Sequence, residues 1–175
     1  IQDFSLSLLI TNGEGYKSLS SDNYEKISLQ AVYGNKRLDK KDGFNVGGVF
    51  STLENTTVMG FFAGVSKFGA RLGFEYNIGS NLDLDDYEAN SSLLSGYLNY
   101  KLPFDLKIVK NMTLFGKLDI VNSNTNTSDN STSNLLTGII FKCYDNFSVS
   151  PNMKISGISD NDQAINFSLT CLSKF

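Results

Sequence analysis

Hydrophobic and polar residues alternate with a period of two along most of this chain. In the stretch ARLGFEYNIGS (70–80), apolar residues occupy the even positions from 70 to 78, and Arg, Gly, Glu, Asn and Gly occupy the odd ones. The stretches 111–121 and 147–157 alternate in the same way. Because successive side chains of a β-strand point to opposite faces, this period predicts strands with one apolar and one polar face.

Ten segments carry this pattern, and no segment of useful length has a helical period. The predicted strands are FSLSLLIT (4–11), EKISLQAVYG (25–34), GFNVGGVFST (43–52), TVMGFFAGVS (57–66), ARLGFEYNIGS (70–80), LLSGYLNYKL (93–102), NMTLFGKLDIV (111–121), NLLTGIIFKCY (134–144), FSVSPNMKISG (147–157) and AINFSLTCLSKF (164–175). Each is close to the roughly 9–11 residues with which a tilted strand crosses a bilayer.

The predicted connections alternate between short and long. The turns at 67–69 and 144–147 are tight, and the long polar connections are 12–23, 80–90 and 122–134. Parity puts the tight turns at one end of the strands and the long loops at the other, which is typical of outer-membrane barrels. The connections 34–43 and 102–111 are longer than this pattern expects for the tight-turn end.

Composition favours membrane-spanning strands over membrane-spanning helices. Hydrophobic residues make up 41% of the chain, yet no apolar run approaches the ~20 residues of a transmembrane helix. The polar faces are rich in Ser, Asn and Gly rather than the Lys and Glu of a soluble surface. We therefore expect an all-β fold, an antiparallel transmembrane β-barrel with about ten strands in this chain. A soluble β-sandwich that binds a ligand is an alternative, because its strands alternate in the same way.

The last predicted strand ends on Phe175, in register with its apolar face. On the barrel interpretation Phe175 lies in the aromatic girdle at the periplasmic interface. A C-terminal strand that ends in Phe also resembles the signal read by the barrel-assembly machinery of Gram-negative bacteria. The expected partners are therefore outer-membrane lipid and that assembly machinery.

Several motifs resemble porins of the phosphate-selective (O/P-type) group. ITNGEGYKSLSSDNYEKISLQAVY is similar to a hairpin of these porins in which NG-x-G opens an external loop. TLFGKLDIVNSN resembles a strand near their C-terminus, with Lys117 where the family more often has Arg, and Asp119 two residues on. FKCYDNFSVSPNMKIS resembles their penultimate hairpin, including Pro151 within the strand. Porins of this group are commonly trimers, so the resemblance implies a homotrimer as one expected assembly.

Size bears on whether the chain forms a complete barrel. An open water-filled lumen goes with roughly 16–18 strands, whereas barrels near 8 strands are filled by their own side chains. The matched motifs belong to the end of a porin, so residues 1–175 are expected to be the C-terminal portion of a larger barrel of 16–18 strands. The alternative is a single, complete ten-stranded barrel domain that acts as an adhesin or receptor through its external loops.

The expected function is passive diffusion of small hydrophilic solutes through an outer-membrane channel. Parity places a set of charged residues on the polar, pore-lining face: Arg71, Glu75, Lys101, Lys117, Asp119, Lys142, Lys154 and Lys174. Most of these are basic although the chain has a net charge of −3, because most acids fall in predicted loops. Rings of Lys and Arg favour anions, so we expect a modest anion preference carried by Lys117 and Lys154 near mid-depth.

Other chemistry is not expected. The chain has no His, which removes Ser-His-Asp catalysis and His-ligated metals, and without a basic tract nucleic acid is not an expected partner. Glu75 and Asp119 are interpreted as pore charges rather than an acid–base pair, so no enzyme activity and no cofactor are expected. The acidic loop contains oxygen ligands for Ca²⁺, although a solvated loop is the favoured interpretation; the candidates are Asp83, Asp85, Asp86 and Glu88.

Overall fold

The computed structural model describes residues 3–11, 25–81, 90–103, 109–126, 131–157 and 163–173. Its ten strands are β1 (Phe4–Thr11), β2 (Lys26–Gly34), β3 (Gly43–Leu53), β4 (Thr56–Lys67), β5 (Ala70–Ser80), β6 (Asn90–Lys101), β7 (Asn111–Asn122), β8 (Ser131–Tyr144), β9 (Phe147–Ser156) and β10 (Ala164–Ser173). The prediction of an all-β chain with ten strands is confirmed. Lys174 and Phe175 lie outside the described residues.

All ten strands form one antiparallel sheet in chain order, from β1 to β10. Each strand pairs only with its neighbours in sequence, so the connections are simple hairpins. A two-sheet sandwich is therefore not the fold of the described strands. Among the described residues β1 and β10 do not pair with each other, so the sheet is open at both edges.

Two strands start well before the residues that the alternation predicts. β6 begins at Asn90 and β8 at Ser131, each three residues before the predicted start. The extra residues are Ser, Thr and Asn, which resemble a loop in the sequence. They are paired in the sheet, with Asn122 facing both Ser92 and Ser131, and this pairing extends the strands.

The turns follow the predicted alternation with one exception. Phe68 and Gly69 connect β4 to β5 with φ angles of 54° and 80°, which fits the two left-handed positions of a type I′ hairpin. The two residues between β8 and β9 form a second tight turn at the same end. The exception is Glu54–Asn55, a two-residue connection at the end that carries the long loops.

The sheet has two faces of opposite character. One row of paired residues crosses all ten strands and is apolar or small throughout: Phe4, Tyr33, Val46, Ala63, Phe74, Gly96, Leu118, Leu135, Ile155 and Ile165. We call the face that carries this row the outer face and the opposite one the inner face. Most of the exposed large apolar side chains lie on the outer face, including Leu6 at 62% and Phe167 at 79% exposure.

The sheet curves around its inner face. A cleft of about 440 Å³ is lined by inner-face side chains of five successive strands, from Asn99 on β6 to Leu172 on β10. No described side chain is fully buried, and the most deeply buried large apolar side chains among the described residues are Val32 and Leu38, each 7% exposed. The described part of the chain therefore lacks the hydrophobic core that a soluble sheet protein builds against a second layer.

Pro151 lies inside β9, as the sequence predicts, although β9 is not an edge strand. The residues that face each other on β8 and β9 pass from Gly138 and Asn152 directly to Phe141 and Val149. The ladder is thus interrupted opposite Pro151, which has no N–H to donate. The residue still faces Leu169 on β10.

Candidate functional site

The inner face is lined by side chains that lie across glycines of the neighbouring strand. A Cβ at Gly73 would overlap the ring of Tyr97, which faces Gly73 from β6. A Cβ at Gly47 would likewise overlap the ring of Phe62. The same arrangement recurs at Gly60 with Asn77, at Gly64 with Asn45 and at Gly138 with Phe115. Because these glycines admit the neighbouring side chain, large residues lie along the wall instead of projecting from it.

The register places seven of the eight predicted pore-lining residues on this inner face. They are Arg71, Glu75, Lys101, Lys117, Asp119, Lys142 and Lys154, and Lys174 lies outside the described residues. Arg71, Lys101 and Lys142 gather at the end of the sheet that carries the turn 68–69. Lys117 and Lys154 share one cross-sheet row, with Leu136 between them. Their pore-lining role stays a prediction.

Lys117 forms an ion pair that the alternation does not reveal. Its Nζ lies 2.8 Å from Asp119 Oδ2, and the hydroxyl of Ser95 donates to Asp119 Oδ1 at 2.6 Å. Ser95 is 6% exposed and lies between Glu75 and Asp119 in the row across β5, β6 and β7. The charge of Lys117 is therefore compensated locally, which weakens its expected contribution to anion preference.

Glu75 and Lys154 have simpler surroundings. Glu75 Oε1 accepts a hydrogen bond of 2.7 Å from the side-chain amide of Asn77, two residues along the same strand. Lys154 has no ion pair within the described part of the chain. Lys154 is therefore the uncompensated cation of the row that it shares with Lys117.

The connection between β2 and β3 folds over the inner face, and we call residues 35–42 the cap segment. Leu38 is only 7% exposed, and its Cδ1 lies 2.9 Å from the position that a Cβ on Gly64 would take. The amide of Asn45 donates to the carbonyl of Asn35 at 3.1 Å, which joins the segment to β3. The connection is longer than a hairpin turn because it packs over the inner face. The sequence alone did not predict this packing.

Arg37 and Asp39 of the cap segment form an ion pair with two hydrogen bonds. Arg37 Nε and Nη2 donate to Asp39 Oδ1 and Oδ2 at 2.9 and 2.7 Å. These hydrogen bonds lower the pKa of Asp39 to about 2 and raise that of Arg37. Asp39 is thus neutralised within its own segment.

A second ion-pair cluster lies at the turn between β8 and β9. Asp145 accepts from Lys110 Nζ at 2.8 Å, and Lys142 Nζ lies 3.5 Å from its other oxygen. The hydrogen bond from Lys110 is the main cause that lowers the pKa of Asp145. Lys142, predicted to line the pore mouth, is therefore partly compensated by a turn carboxylate.

The remaining candidate residues give no site in the described part of the chain. The Ca²⁺ candidates Asp83, Asp85, Asp86 and Glu88 and the assembly residue Phe175 lie outside the described residues. Elsewhere the described residues contain no group of three or more His, Cys, Asp or Glu that could hold a metal ion. Cys143 and Cys171 are free thiols; Cys171 lies on the outer face of β10, and Cys143 lies at the register shift of β8.

Comparison of the chain with known proteins identified no related protein. No protein family model, no curated protein and no solved structure matches this chain. Within the described ranges, no helix has the length and hydropathy needed to span a bilayer. The likeness of the sequence motifs to porins therefore stays a prediction.

Proposed function

We propose that this chain forms part of the wall of an outer-membrane porin that lets small hydrophilic solutes diffuse across the membrane. The observation that carries the proposal is the outer face, which is apolar across all ten strands and exposed. Except for Lys67, the charged side chains of the described strands lie on the opposite, inner face. Apolar-out and polar-in alternation is the arrangement of a barrel whose strands face lipid outside and water inside.

The extent of the apolar face argues for lipid as the solvent that covers it. Soluble monomers rarely expose apolar patches larger than a few hundred Å². Removal of apolar surface from water stabilises by about 25 cal/mol per Å², so a face that crosses ten strands carries a large driving force for burial. A bilayer supplies apolar surroundings along the whole face, and it accepts only sheets whose edges are paired.

The open edges support a wider barrel over a closed ten-stranded one. Among the described residues neither β1 nor β10 has a partner on its outward edge. In lipid each unpaired backbone group costs several kcal/mol, so further strands must complete the wall. We propose that other segments or subunits supply them, giving a water-filled lumen of the size expected for 16–18 strands. The proposed surroundings include outer-membrane lipid, the barrel-assembly machinery and a trimeric assembly.

The proposed anion preference rests on the inner-face cations that lack a partner. Lys154 is the strongest candidate, since Lys117 is paired with Asp119. Arg71 and Lys101 add positive charge at the end with the cap segment. Fixed cations in a pore with low-dielectric walls raise the local concentration of anions. The expected selectivity is modest.

Planar-bilayer recordings test the proposal. The purified protein should form conducting pores, and its reversal potential in a salt gradient should indicate a modest preference for anions. Lys154→Glu should shift the reversal potential toward cations, because it replaces an unpaired inner-face cation by an anion. The control is Lys67→Glu, the same charge change on the outer face, which should leave selectivity unchanged.

Two results would contradict the proposal in different ways. A protein that inserts into bilayers without conducting would refute the porin function. A conducting pore that prefers cations, or a Lys154→Glu pore with wild-type selectivity, would refute the assignment of the inner face as the lumen wall.

A further inference from the structure

A cleft of about 430 Å³ lies between the cap segment and the inner face. The cap contributes Leu38 and residues 39–42, and the sheet contributes side chains from β4 to β8, among them Arg71, Lys101 and Ile140. Sites for small organic molecules typically have volumes of about 300–1,000 Å³. The cleft is therefore large enough to hold such a ligand.

The cleft carries an excess of positive charge. Lys40, Lys41, Arg71 and Lys101 line it, against the carboxylates of Asp39 and Asp42. Asp39 is already neutralised by Arg37, which is not part of the lining. Asp42 Oδ2 accepts a backbone hydrogen bond from Phe68 at 3.4 Å, at the β4–β5 turn. In the described part of the chain none of the four lining cations has an ion pair, so the lining favours an anion.

Arg71 supplies an unused hydrogen-bond donor. Its Nε is buried and has no hydrogen-bond partner. The guanidinium carbon lies 5.7 Å from the centroid of the Tyr97 ring, which holds the side chain beside Gly73 through a cation–π contact. Arg71 also lines the cleft, so an anion bound there would contact the guanidinium group. The guanidinium fork matches the two oxygens of a carboxylate.

Apolar side chains complete the lining. Leu38 is nearly buried where the cap covers Gly64, and Ile140 lies on the sheet side of the cleft. A fully hydrated inorganic anion gains nothing from such neighbours. An organic anion can place its carboxylate at Arg71 and its apolar body between Leu38 and Ile140.

We propose that this cleft binds small monocarboxylates with a short apolar body, and that Arg71 is their carboxylate ligand. The proposal rests on the proposed function in one respect, that the inner face is the path of passing solutes. The cleft would then be a selective binding step at the end of the pore that carries the cap segment.

Isothermal titration calorimetry with benzoate tests the proposal on the full chain folded in detergent micelles. Wild type should bind benzoate saturably. Arg71→Gln should weaken binding at least about tenfold, since it removes a charge-assisted hydrogen bond. Lys101→Gln should weaken it less, and Leu38→Asn should weaken benzoate more than acetate, which has little apolar body.

The control is Lys26→Gln, which removes an inner-face cation at the opposite end of the sheet and should leave affinity unchanged. Far-UV circular dichroism shows which variants fold. If Arg71→Gln does not fold, the affinity of Lys101→Gln still tests the proposal. Absence of saturable benzoate binding by wild type would overturn the proposal, as would equal affinity in wild type and both folded cation variants. Inorganic phosphate that binds as tightly as benzoate would overturn the role given to Leu38 and Ile140.

This measurement is independent of conduction. Benzoate binding by a protein that forms no channel would refute the porin function and leave the site intact. A conducting pore without benzoate binding would refute the site alone.

Discussion

The ion pair between Arg37 and Asp39 gives the cap segment a charge state that persists into acid. Its hydrogen bonds lower the pKa of Asp39 to about 2, from an ordinary value of about 3.9. For a carboxylate whose folded pKa is depressed, the stabilisation is present above the ordinary pKa and is lost as pH falls through the folded one. The cap segment should therefore keep this pair at pH 3–4.

Carbon-13 NMR of labelled Asp carboxyl groups measures this effect in micelles. The Asp39 resonance should titrate with a midpoint near 2, and Arg37→Gln should move the midpoint up toward the ordinary value. Lys36→Gln removes a neighbouring charge that is not part of the pair and should have little effect. A wild-type midpoint at the ordinary Asp value would show that the pair does not form in solution.

At the residue scale, the sequence predicts faces but not contacts. Parity placed Lys117 and Asp119 on one face correctly, because period two fixes the direction of each side chain in a strand. It could not reveal that they form an ion pair, which depends on side-chain conformation and on Ser95 of the next strand. The cleft at Arg71 was missed because part of its lining comes from the cap segment, which has no period.

At the scale of elements, the strands were predictable, and the connections were predictable in part. All ten strands follow from the alternation of apolar and polar residues. The early starts of β6 and β8 did not, because Ser, Thr and Asn are common in loops and only pairing with a neighbour identifies them as strand. The tight turn at Glu54–Asn55 was missed because neither residue is a glycine, although Glu54 has a φ of 52°.

Adjacent residues of β10 should report opposite surroundings if the two faces meet lipid and water. In a variant with Cys143 and Cys171 replaced by Ser, a single cysteine is placed at Phe167 on the outer face or at Ser168 on the inner face. In liposomes a charged, membrane-impermeant maleimide should modify Ser168→Cys readily and Phe167→Cys slowly, because thiolate formation and reagent access both require water. The measurement is the labelling rate by mass spectrometry.

Urea-unfolded samples provide the control for that experiment, since both cysteines should then react at similar rates. Equal labelling of the two positions in liposomes, with both proteins folded, would rule out a lipid-facing outer face on β10.

At the scale of the whole molecule, the described sheet has no second layer packed on its apolar face. The apolar face is the exposed one, and the described residues contain almost no buried apolar side chains. The alternation identifies an apolar and a polar face but not the surroundings of each face, because the strands of a soluble β-sandwich alternate in the same way. Whether the sheet closes was also beyond the sequence, because closure of a sheet depends on the number and tilt of its strands. Among the described residues the sheet stays open at β1 and β10.

A matched pair of substitutions in one strand tests whether the outer face contacts lipid. Leu93 and Leu94 are adjacent near the middle of β6, with Leu93 on the inner face opposite Asn77 and Leu94 on the outer face opposite Tyr76. A Lys on the lipid face near mid-depth costs about 2–4 kcal/mol, whereas a Lys in a water-filled lumen keeps its hydration. Leu94→Lys should therefore lower the free energy of unfolding in lipid vesicles by about 2 kcal/mol or more. Leu93→Lys should change it by less than about 1 kcal/mol. Equilibrium denaturant titration followed by intrinsic tyrosine fluorescence measures both values, since the chain has 8 Tyr and no Trp.

If the chain were instead a water-soluble protein with its apolar face packed inside an assembly, Leu94→Lys would disrupt that assembly in aqueous buffer, and wild type would fold there without lipid or detergent. Folding of wild type in plain buffer, or equal costs for the two substitutions in vesicles, would therefore refute the lipid-facing outer face.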